Sequence, residues 1–106
     1  MDINNNPRYA GKPLLRILEC YVLYSIGELN TEDNQKLQKI SPKLSKVYGV
    51  DGAWTEIVES VMDLPETFID QVREIWERNR TLAAKNGEIL NAQDFAEMFV
   101  DTNLSP

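Results

Sequence analysis

Residues 14–29 read LLRILECYVLYSIGEL, and a helix built from them is apolar around almost its whole circumference. Such a helix is covered on most sides, at the centre of a bundle or in an interface, because its exposure would leave a contiguous oily surface in water. It does not cross a bilayer, which takes about 20 consecutive apolar residues. The run holds sixteen residues, interrupted by Arg16, Glu19 and Glu28. No membrane partner is therefore expected, and the covering must come from the same chain or from another protein.

The rest of the chain is sufficient for that. It has 106 residues, 42% hydrophobic and 26% charged, the balance of one folded domain able to form its own core. Cys20 is the only cysteine and histidine is absent, so an internal disulfide is impossible and the commonest zinc ligand sets cannot form. No metal or cofactor is expected. The first residues, MDINNNP, lack the basic start and apolar stretch of a secretory signal, which points to a cytoplasmic location.

Periodicity predicts an all-α fold, a compact bundle of four to five helices in a single domain over 1–106. The apolar helix, about 13–29, opens at Pro13 and occupies the centre. A second helix, about 31–48, begins at Thr31 as N-cap and places Leu37, Ile40, Leu44, Val47 and Tyr48 on one face. Pro42 kinks it or divides it, with Ser41 capping the second half, and Gly49 ends it.

A third helix, about 52–63, is capped by Asp51 and carries Trp54, Ile57, Val58, Val61 and Met62 as an apolar stripe. Asp63, Pro65 and Glu66 resemble a capping-box start for a fourth, about 64–86, which buries Phe68, Ile69, Val72, Ile75, Trp76 and Leu82 or Ala83. Asn91 and Asp94 open a fifth, about 91–101, with Phe95, Ala96, Phe99 and Val100 inward. Residues 1–12 form an extended lead-in that carries Arg8 and Tyr9, and 102–106 a frayed tail.

Candidates for chemistry are few. Histidine, the side chain that titrates nearest neutrality, is missing, which argues against an enzyme. Glu56 and Glu59, like Glu74 and Glu77, stand three apart on one helix flank, a spacing able to chelate a hard cation, but they fall opposite the apolar stripes and so face solvent. Glu19 is more constrained. Within the greasiest helix its carboxylate is partly buried and needs a partner, either Arg16 three residues earlier or a tyrosine such as Tyr48. Cys20 beside it is a small core residue.

Charge is unevenly distributed on a chain of net charge −6. Lys36, Lys39, Lys43 and Lys46 recur at helical spacing with no acid between Asn34 and Tyr48, a basic stripe if the helix continues through Pro42. From Asp51 to Glu66 the sign reverses, with Asp51, Glu56, Glu59, Asp63 and Glu66 and no base. Residues 44–58 have the outline of a helix-turn-helix, yet the helix that would read DNA carries Glu56 and Glu59, which repel phosphates.

The expected function is a non-catalytic protein-protein interaction module: a small acidic adaptor, subunit or inhibitor, of which an immunity-type plug for a basic enzyme site is one form. Its partner is another protein, met by aromatic and acidic side chains of helices three to five. Self-association is a further expectation, because the first helix has more apolar circumference than one layer of neighbours covers. The alternatives are a small-molecule binder or enzyme with a pocket among Arg16, Glu19, Tyr21, Tyr24 and Tyr48, and a nucleic-acid binder using the lysine stripe.

Overall fold

In the computed structural model, which describes residues 8 and 13–104, the apolar run folds as α1 (Pro13–Ser25). Around it pack α3 (Trp54–Val61), α4 (Phe68–Lys85), α5 (Ala92–Phe99) and a π-helical turn, Val100–Leu104, that continues α5. The remaining helix, α2 (Thr31–Tyr48), lies outside this group and packs chiefly on α3. The chain is all-α, a five-helix bundle with no strand among the described residues. None of those helices is long and apolar enough to cross a membrane.

Burial follows the apolar pattern closely in α1. Leu15, Leu18, Cys20, Tyr21, Val22 and Leu23 are enclosed together with the polar Glu19 and Ser25, and among residues 14–25 only Tyr24 is exposed. The covering comes from the same chain, so the central helix itself supplies no reason for self-association. Tyr21 stacks among Tyr24, Trp54 and Phe68, and Phe95 links Trp76 to Phe99. The aromatic side chains of α3 to α5, expected from sequence to be exposed, are buried in the core.

Helix ends differ from those expected, for local reasons. α1 stops at Ser25, not near 29, because Gly27 takes a left-handed φ of 75°. Its N–H reaches the Tyr24 carbonyl (3.1 Å) and the Glu28 N–H reaches that of Leu23 (2.8 Å). Ile26 and Leu29 still pack against the core beyond the turn. Lacking a base in its last turn, α1 receives one from α4: Arg73 Nε donates to the Ser25 carbonyl at 2.7 Å.

The N-cap of α2 is Asn30 and not Thr31, its Oδ1 accepting from the Asp33 N–H at 2.7 Å. The helix is continuous through Pro42, undivided, and the Ser41 hydroxyl bonds back to the Leu37 carbonyl instead of capping a second segment. In α3 the first residue is Trp54, preceded by Ala53 without a side-chain cap, so Asp51 does not serve.

Asp63 closes α3 and does not open α4. Its φ is 52°, a conformation that aspartate tolerates, and the Leu64 N–H returns to the Glu59 carbonyl at 2.9 Å. The capping box does not form, and α4 starts at Phe68. Asn91 does cap α5, accepting from the Asp94 N–H at 3.0 Å. Residues expected to fray from 102 continue in the π-helical turn, with Leu104 buried. The lead-in expected over 1–12 lies, apart from Arg8, outside the described residues, as do 105 and 106.

Candidate functional site

Glu19 sits on α1 one residue from the Cys20 thiol and is 0% exposed. A carboxylate so placed must be compensated, and it is, from three directions. Arg8 brings Nε and a second guanidinium nitrogen to Oε2, each at 2.7 Å. Gln93 on α5 donates from Nε2 to Oε1 at 3.1 Å, and Arg16 approaches the same oxygen at 3.5 Å.

The two arginines carry the network outward. Arg8 also clamps Asp101 at 3.0 and 3.1 Å and approaches Glu97 at 3.4 Å. Arg16 donates to Gln93 at 3.0 Å and to Asp33, at the start of α2, at 3.2 Å. The cluster thereby joins the N-terminal segment, α1, α2, α5 and the π-helical turn. No buried side-chain nitrogen or oxygen among the described residues lacks a hydrogen-bond partner. The hydrogen bond to Asp101, with that to Glu19 behind it, pushes the Arg8 guanidinium above its already high value, so it stays charged throughout the working range of pH.

The Arg16–Glu19 pairing expected from sequence is present, but Arg8 is the closer partner. Tyr48 takes no part; it is the last residue of α2 and is 37% exposed. The Tyr21 hydroxyl is engaged elsewhere, and Tyr24 is exposed. The Tyr21 hydroxyl donates to Glu59 Oε2 at 2.6 Å, and burial followed by that bond raises its pKa. Glu59 is accordingly half-buried, not solvated as its place opposite the apolar stripe suggested, while Glu56 is exposed. Glu74 and Glu77 pair with Arg78 and Arg80 on the surface of α4.

Cys20 is buried, and burial pushes its thiol up to about 11, which leaves it protonated and unreactive at neutral pH. Among the described residues no group of three or more His, Cys, Asp or Glu is placed to hold a metal ion. A hollow of about 270 Å³ lies at the corner between α3 and α4, lined by Tyr21, Glu59, Leu64, Pro65, Glu66 and Ile69. Another, of about 300 Å³, lies beside the turn after α4 and includes Arg80 and Ile89.

The other concentration of unusual side chains is on α2. Lys36, Lys39, Lys43 and Lys46 are all exposed along one continuous helix. Lys36 pairs with Glu32 at 3.2 Å; the other three make no ion pair among the described residues. The apolar stripe expected to pack inward does so only in part. Leu37 is buried and Leu44 half-buried, but Ile40 is 38% and Val47 66% exposed. With α3 as its main neighbour, α2 can bury one flank only, and Ile40 and Val47 fall on the other, in line with Lys36 and Lys43. Leu82 of α4 is likewise exposed.

No protein-family model, curated protein or solved structure matches the chain.

Proposed function

We propose that the chain is a non-catalytic protein-interaction module of the cytoplasm whose docking surface is the outer face of α2. The observation that carries this reading is the row Lys36, Ile40, Lys43, Val47: apolar side chains exposed among lysines, on a helix that the other described residues cover from one side only. Exposed apolar groups ringed by charge are the usual composition of a docking patch, with the apolar centre supplying affinity and the charges supplying orientation.

The chemistry-bearing groups support the same reading from the other side. Glu19 is held by Arg8, Arg16 and Gln93, and Cys20 is buried and protonated. With Asp33 and Asp101, the Glu19 cluster ties Arg8 to α1, α2, α5 and the π-helical turn and so acts as a fastening.

Affinity purification from native lysate tests the proposal. The full chain is expected to retain a discrete protein, and the variant Ile40→Ser/Val47→Ser to lose it while keeping its helical circular dichroism. Retention of nucleic acid instead, weakening steeply with salt and lost in Lys39→Glu/Lys43→Glu, would replace this reading with a nucleic-acid binder.

A further inference from the structure

The outer face of α2 is cationic on a protein of net charge −6, and the region that follows it is anionic. We infer that the occupant of the α2 face is a second copy of this chain, whose acidic corner between α3 and α4 receives the lysines of α2. The inference rests on the docking reading above and names the partner.

The two surfaces are opposite in sign, and the acidic one is concave. Ile40 and Val47 stand seven residues apart on one side of α2, about 10 Å along the axis, with Lys43 between them in the same row. The acidic corner is a hollow of about 270 Å³ whose walls are Leu64, Pro65 and Ile69 and whose polar lining is Glu59, Glu66 and the Tyr21 hydroxyl. That composition suits a lysine, whose four-carbon stem lies on apolar walls while its ammonium reaches carboxylates. Tyr21 already fixes one oxygen of Glu59 at 2.6 Å, so the carboxylate is oriented before anything enters. Glu66, in the lining, is exposed, and so are Asp63 and Asp70, three residues before it and four after it in sequence.

Geometry within the chain favours a closed pair. The helix that carries the lysines packs on α3, the helix that supplies Glu59, so the two surfaces lie on adjacent elements. A two-fold axis that brings each α2 to the other copy's corner makes the contact twice and ends the assembly at two. Repulsion between two acidic molecules is screened beyond about 8 Å at physiological ionic strength, whereas apposed lysines and glutamates are closer than that. A polyanion such as nucleic acid would match the lysines but leave Ile40 and Val47 unused.

Sedimentation equilibrium of the full chain tests this over about a hundredfold range of concentration, at about 0.05 M and about 0.5 M salt. The average mass is expected to rise from 12.1 kDa toward twice that at low salt, and to stay near the monomer at high salt. Lys39→Glu/Lys43→Glu and Glu66→Lys, all at exposed positions, are each expected to be monomeric. An equal mixture of the two is expected to associate again, since one supplies an intact α2 and the other an intact corner.

A wild-type monomer throughout overturns the inference, as does association that survives in both variants, or a mixture that stays monomeric. A monomer that still captures a different protein through Ile40 and Val47 removes the second copy but keeps the docking face. Loss of that face altogether is read in the capture experiment, not in this one.

Discussion

Glu19 has no exposed surface, so its stability contribution depends on the partners that compensate it, the cations Arg8 and Arg16 and the amide of Gln93. Arg8 is the nearest of them and is itself about a quarter exposed, which lowers the cost of removing it below that of breaking a fully buried pair. Arg8→Ala is expected to destabilise the fold by about 2 kcal/mol, measured by urea unfolding. Glu19→Gln in the same background is expected to recover part of the loss, because a neutral amide no longer needs the guanidinium; strict additivity would show that the two groups are not coupled. Cys20 governs the alkaline side. The unfolded thiol gives up its proton from its ordinary 9.0, whereas the folded one keeps it to about 11. Its contribution is therefore intact below pH 9 and falls across that window, by about 2–3 kcal/mol at most. Tyr21, also raised, acts in the same direction above its ordinary 10.0. Thermal melts of Cys20→Ala are expected to fall less steeply between these values than those of the wild type.

Among the elements, α2 is the helix with a proline in its interior. Pro42 is exposed within an eighteen-residue helix, where it removes the N–H that would reach the Gln38 carbonyl. Pro42→Ala is expected to raise stability by about 2 kcal/mol, the helix-interior penalty of proline less the freedom that alanine returns to the unfolded chain. Calorimetry that shows a loss instead would mean that the proline shapes α2 for packing on α3. The five helices and the central place of α1 were legible because apolar spacing repeats over whole helices, and a helix apolar on every side has one kind of home. The ends were less so. Asn30 outcompeted Thr31 as a cap by one position, and Asp63 adopted a left-handed conformation that its sequence context, followed by Pro65 and Glu66, disguised as a helix start. The network around Glu19 was legible only in its need for a partner: Arg8 is 11 residues away and Gln93 is 74, separations that helical period does not register. The one signal was the polar line Gln93, Glu97, Asp101, four residues apart along the flank of α5 and the turn beyond it.

At the scale of the molecule, polar side chains divide into those that fasten the fold and those that face outward. Arg8, Arg16, Glu19, Gln93 and Asp101 are of the first kind, and the lysines of α2 with Asp51, Glu56, Asp63 and Glu66 are of the second, while the half-buried Glu59, bonded to Tyr21, stands between them. This division is the basis for reading the protein as a binding module. It also explains how a chain of net charge −6 can display a strongly cationic helix: the compensating acids lie on the adjacent element. The most direct measurement is retention of the bound protein by three forms of the full chain, wild type, Glu19→Gln and Lys39→Glu/Lys43→Glu, at a temperature where circular dichroism shows all three folded. Retention by Glu19→Gln is expected to equal that of the wild type, and retention by the lysine variant to fall at least about tenfold, the loss of roughly 1.4 kcal/mol of binding. Undiminished retention by the lysine variant together with its loss in Glu19→Gln would contradict the account and move the working surface to the buried carboxylate.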